Sequence, residues 1–134
     1  MSQENVEIVR ASVDAMLRGD VEAALEALDP DIEWHATVGG VDEGRVYHGR
    51  EDVARAFADY FQVWERIELR ADDYIDPGGD SVVVFFHEIA KGRASGVVVE
   101  TDTGTVNTVA NGKIIRVRSY MDRSQALESV GLSP

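Results

Sequence analysis

The 134-residue sequence contains no cysteine, which excludes disulfide staples, thiolate nucleophiles and Cys-ligated zinc. No stretch approaches the roughly 20 consecutive apolar residues that a membrane-spanning helix needs. The opening MSQENVEIVR has no basic segment leading into an apolar one. These absences lead us to expect a cytoplasmic protein with no membrane partner. Basic side chains are scarce as well: 13 Lys and Arg stand against 25 Asp and Glu, a net charge of -12. Such a charge repels phosphate backbones, so nucleic acid is not expected as a partner. The three histidines, His35, His48 and His87, lack the i, i+4 spacing of a helical metal site, so no metal is expected. Glycine-rich phosphate loops and a nucleophile elbow are both missing, and we expect no cofactor. The triplet Asp102-Thr103-Gly104 matches that of aspartic proteases, but that chemistry requires two such carboxylates sharing one proton.

What is present is ordinary globular material, 44% hydrophobic and 28% charged, without repeats or low-complexity segments. Residues 1–134 read as a single domain. Val6, Val9, Val13, Met16 and Leu17 recur at three- and four-residue spacing and predict a helix over 3–18 that stops at Gly19. Asp20 is placed to cap a short second helix carrying Val21, Ala24, Leu25 and Leu28, ended by Pro30. Ile32 to His35 alternates as a short strand, and a Gly-rich loop follows from Gly39 to Gly44. A third helix starts after Gly49, with Glu51 and Asp52 in its first turn and Val53, Phe57, Tyr60, Phe61 and Trp64 along one face. From Ile67 the period changes to two, predicting a meander of strands. Turns fall at Asp76 to Asp80 and at Asn111-Gly112, and Val97 to Ala110 reads as one strand bent at Gly104. A short helix over 123–130 closes the chain.

This element order, together with particular words, resembles the SnoaL-like branch of the NTF2-like superfamily. The words are Pro30-Asp31-Ile32-Glu33-Trp34-His35, Val46-Tyr47-His48-Gly49-Arg50-Glu51-Asp52-Val53, Ser95-Gly96-Val97-Val98-Val99, Asn111-Gly112-Lys113-Ile114 and Tyr120-Met121-Asp122. The resemblance implies an α+β cone: three N-terminal helices packed on a curved, mostly antiparallel sheet, plus a short C-terminal helix. It also implies a single pocket for a small hydrophobic ligand and a homodimer formed through the outer sheet face. The activity implied is that of a cofactor-independent isomerase, cyclase or dehydratase working by proton abstraction on a carbonyl compound. The alternative is a binding protein without catalysis. Asn107 and His87 depart from the family's pattern, the first standing where relatives carry an aromatic residue.

Candidate site residues follow from residue chemistry and from the resemblance. Asp122 is similar to the carboxylate proposed as acid/base in SnoaL-type cyclases, yet Asp122-Arg123-Ser124-Gln125 also has capping-box spacing. His87 and Glu88 are adjacent on one strand, so only one of them faces inward; an inward His87 would serve as a base near neutral pH. Of Trp34 and His35 the indole is the better cavity wall. Tyr47, Tyr60 and Tyr120 offer hydroxyl donors to a substrate oxygen. Met16, Phe57, Phe61 and Trp64 are expected as core that doubles as pocket lining. Asn107 either binds ligand or pairs within the sheet. Arg116, Arg118 and Asp122 supply the residue types of an epoxide-hydrolase cluster without matching its order.

Overall fold

The computed structural model describes residues 2–133. Helix α1 spans Ser2–Leu17 and buries Val9 and Val13 against the sheet. Gly19 takes φ +84°, turning the chain into α2, Val21–Glu26, whose Ala23 N–H donates to the Asp20 side chain as the sequence predicts. Leu28, however, is not part of that helix. It opens strand β1, Leu28–Val38, where it pairs with Ile114. Pro30 sits in the irregular stretch between Leu28 and Glu33, the position at which a residue without an N–H costs a strand least.

Strand β2, Val46–His48, is a three-residue edge strand paired antiparallel to β1. It runs straight into α3, Gly49–Val63, and the chain continues without a loop into β3, Trp64–Ile75. Strands β4, Ser81–Gly92, β5, Val98–Ala110, and β6, Lys113–Tyr120, complete a curved six-stranded sheet of order β2-β1-β6-β5-β4-β3. All neighbours are antiparallel except β1 and β6, which run parallel. Asn111 and Gly112 both adopt positive φ, +51° and +77°, the conformation of the two-residue hairpin their identities predict.

Helices α1 to α3 cover one face of the sheet, and their buried residues join Leu28, Ile32, Val82, Val84, Phe86, Val109, Ile114 and Val117 in the main core. The short α4, Arg123–Ser129, lies on the other face, where Ala126 packs on Val83 and Val106 with Phe85, Tyr120, Leu127 and Val130 around them.

Gly104 explains how α4 comes so close. A Cβ built at this position would stand 2.9 Å from the Ala126 Cβ and 3.6 Å from the Arg123 Cα. Strand β5 therefore runs unbroken through Gly104, and the glycine serves a close helix approach. Replacing Gly104 by alanine should force α4 away from the sheet and cost about 1–3 kcal/mol, the usual range for overpacking. Urea unfolding of Gly104→Ala checks this; an unchanged midpoint would refute it.

Candidate functional site

The curved inner face of the sheet and helices α1 to α3 border a partly open cavity of about 520 Å³. Two-residue alternation sets its wall: β5 sends Val99, Thr101, Thr103, Thr105 and Asn107 inward, and β4 sends Phe86, Glu88 and Ala90. Helix α3 contributes Phe57, Tyr60 and Phe61, with Trp64 just beyond its end, while Met16 comes from α1 and Trp34 and Tyr47 from β1 and β2. Trp34 meets Phe57 edge to face at 5.0 Å between ring centroids. Met16, Trp34, Tyr47, Phe57, Tyr60, Phe61, Trp64 and Asn107 are thus brought together on one cavity. Tyr120 is not: it faces the opposite side of the sheet, beside α4.

The two residues put forward for proton transfer also lie elsewhere. Asp122 is the N-cap of α4, where its carboxylate accepts from the Ser124 N–H at 2.8 Å; among the described residues Gln125 adds no side-chain bond, so the tetrad forms a simple cap and not a capping box. His87 points to the outer face, because its inward neighbours on β4 are Phe86 and Glu88. There His87 Nδ1 meets Asp102, its partner across the β4–β5 ladder, and Nε2 lies 2.7 Å from Glu100. His35 likewise faces away from the cavity wall formed by Trp34 and pairs with Glu33 at 2.7 Å.

Among the lining residues only Asp42 and Glu88 carry charge, and each is bonded to a tyrosine. The Tyr60 hydroxyl donates to Glu88, with its oxygen 2.7 Å from Oε1 and 2.8 Å from Oε2. Tyr47 donates to Asp42 at 3.0 Å, tying the loop that follows β1 to the edge strand. Burial first, and then the adjacent Glu88 carboxylate, push the Tyr60 phenol well above its ordinary value, so it remains a proton donor at all physiological pH. The Trp64 indole N–H pulls weakly the other way but makes no hydrogen bond of good geometry. Glu88 is the functional candidate that sequence reasoning passed over. Its signal was the adjacency to His87: if one side chain faces inward, the alternative to the histidine is the glutamate.

With this geometry in view, likeness to known proteins becomes informative. The sequence pattern of the SnoaL-like domain matches residues 9–117. The chain belongs to the SnoaL-like family. No curated protein matches the chain. Among solved structures, TerC, co-crystallised with polyporic acid, is 26% identical over 95% of this chain and 98% of its own, with a TM-score of 0.75. An NTF2-like protein from Burkholderia thailandensis is 25% identical over 86% of this chain and 88% of its own, at TM-score 0.79. Another, of unknown function, from Burkholderia pseudomallei is 22% identical over 96% and 98% of the two chains, at TM-score 0.77. The SnoaL-like fold and its α+β architecture are therefore established.

The outer face of this SnoaL-like sheet carries an ion-pair network. Arg123 donates to Asp72 at 2.7 Å and to the Phe86 carbonyl at 2.8 Å, and Arg70 donates to Asp72 at 2.7 Å. Asp72, His87 and Asp102 bring possible metal-ligand atoms within 4.8 Å of one another, but arginines and the imidazole proton already occupy them. Carboxylates only accept, so an imidazole with a carboxylate on each nitrogen needs both N–H groups and is held as the cation. Asp102 accordingly raises the His87 pKa from its ordinary 6.5, with Glu100 adding to the effect and desolvation opposing it. A raised folded-state value means that this stabilisation is complete below pH 6.5 and is lost as pH climbs through the raised value. The melting temperature of His87→Gln should therefore lie below wild type in mildly acidic buffer, and the gap should narrow as pH rises above 6.5. A gap that is constant or widens with pH in a thermal melt series would contradict the charged imidazole.

Proposed function

We propose that this chain binds a small, predominantly apolar carbonyl compound in the cavity and shifts a proton on it, with Glu88 as the base and Tyr60 as the donor. The observation that carries the reading is the Glu88–Tyr60 pair, a carboxylate and a protonated phenol in contact on a mostly apolar wall whose other charged residue is Asp42. Glu88 removes a proton from the carbon beside the carbonyl, and the electron pair moves onto oxygen as an enolate. The Tyr60 hydroxyl turns from the now neutral Glu88 to hydrogen-bond that oxygen, and Glu88 returns the proton at a second carbon. No oxidant, metal or nucleotide enters this balance. Trp34, Phe57, Phe61 and Trp64 give the substrate apolar walls beside the pair, and Tyr60, 43% exposed, leaves the pair open to solvent until a ligand covers it.

A binding role without turnover is the second reading. Most of the lining is aliphatic and aromatic, and TerC, a relative of similar length, was crystallised with a small molecule. The two readings separate in one experiment. The α-protons of 2-cyclohexenone, followed by NMR in D2O, should exchange faster in the presence of the chain. Glu88→Gln should lower that rate by about 10²-fold or more, the usual contribution of a positioned base, and Tyr60→Phe should lower it less. Binding without any acceleration of exchange would leave the binding role and remove the catalytic one.

A further inference from the structure

We propose that Asn107 and Thr105 form a subsite for a neutral hydroxyl group, so that the ligand is an apolar molecule bearing a phenolic or enolic O–H at the end it inserts. The inference rests on the cavity being a ligand pocket and is independent of whether Glu88 performs chemistry.

Asn107 is 6% exposed and is the one polar side chain among the buried described residues. Its two amide protons are both committed: Nδ2 donates to the Val82 carbonyl at 3.3 Å and to Thr105 Oγ1 at 3.0 Å. The Val82 carbonyl can only accept, so the amide cannot be turned round without setting two acceptors against each other. Its orientation is therefore fixed, and Oδ1 is the atom left over. Among the described residues Oδ1 accepts no hydrogen bond, although Asn107 lines the cavity. Thr105 has accepted the Asn107 N–H and still holds its own hydroxyl proton, which it donates to no described residue.

Together the two side chains present one acceptor and one donor, two residues apart on the same face of β5. A hydroxyl group donates and accepts at once and satisfies both. An ether or a carbonyl oxygen satisfies only Thr105, and a bare hydrocarbon satisfies neither. Charged groups fit poorly as well. On the neighbouring strands Asn107 is flanked by Val82 and Val117, and Thr105 by Val84 and Ser119. A carboxylate or ammonium inserted there would lose its water with no counter-charge to replace it. A ligand lacking the polar group covers these two atoms and leaves them unpaired.

Isothermal calorimetry with 2-naphthol and naphthalene as probes tests the subsite. In the wild-type chain 2-naphthol should bind about tenfold more tightly than naphthalene, the effect of one well-made hydrogen-bond pair. In Asn107→Leu, and in the near-isosteric Thr105→Val, that preference should fall to about threefold or less, because each variant removes one of the two partners, with naphthalene affinity retained. Thr105→Val removes the donor to the ligand, together with the acceptor of one Asn107 amide proton, at little change of side-chain shape, and keeps the test decisive if Asn107→Leu fails to fold. Equal binding of the two probes to wild type, or a preference that stays near tenfold in both variants, overturns the subsite and leaves the pocket standing. If neither probe binds, the pocket reading falls, and the subsite with it.

Discussion

The two-residue alternation of β4 and β5 is the constraint on which the remaining chemistry depends. These adjacent strands are covered on both faces, by the cavity and its helices on one side and by α4 and the ion-pair network on the other. Even-numbered residues of β4 and odd-numbered residues of β5 form the cavity wall. The complementary set, His87 on β4 with Glu100 and Asp102 on β5, forms the outer network. A slip of one residue would exchange the sets, burying Asp102 among aromatic rings and exposing the threonine row. The His87–Asp102 pair lies directly across the ladder, so this outer contact forms in the same register that turns Glu88 inward.

Arg123 couples these two faces. Its guanidinium reaches the carbonyls of Phe86 and Thr103, two residues whose side chains line the cavity, and it lies over the Phe85 ring at 4.8 Å from the centroid. The close seat of α4 on Gly104 brings this arginine within reach. Helix α4 thus contributes no side chain to the cavity and yet supports the backbone of its wall from behind.

The helices, the hairpin at Asn111-Gly112 and most strands were legible because their signals are local: spacing, caps and turn residues. Aromatic residues on one face of α3 were legible as cavity lining for the same reason. Strand β2 has three residues, too few to show a period, and the spacing of Leu28 fits a helix until its partner on β6 is known. The inward side of β4 was not legible. Val83, Phe85 and Ile89 are as apolar as Val84, Phe86 and Ala90, as a strand buried on both faces requires, and hydrophobicity then cannot say which set meets the ligand. The Tyr60–Glu88 contact joins residues 28 positions apart and needs the fold to bring them together. Asp122 was ambiguous for a different reason, since a carboxylate at a strand end serves equally as a cap or as an acid.

The single parallel pairing of β1 with β6 also shapes how the chain reaches this state. Leu28 meets Ile114 and Trp34 meets Val117, so the sheet closes through contacts more than 80 residues apart in sequence. Closing so long a loop is entropically costly and comes late, which places the chain among the slower-folding topologies for its size. On the ribosome, β1 and the edge strand β2 emerge long before their only link to the rest of the sheet. Until β6 follows, Trp34 has no finished wall to join, and the half-built cavity presents its apolar lining to whatever else is in solution.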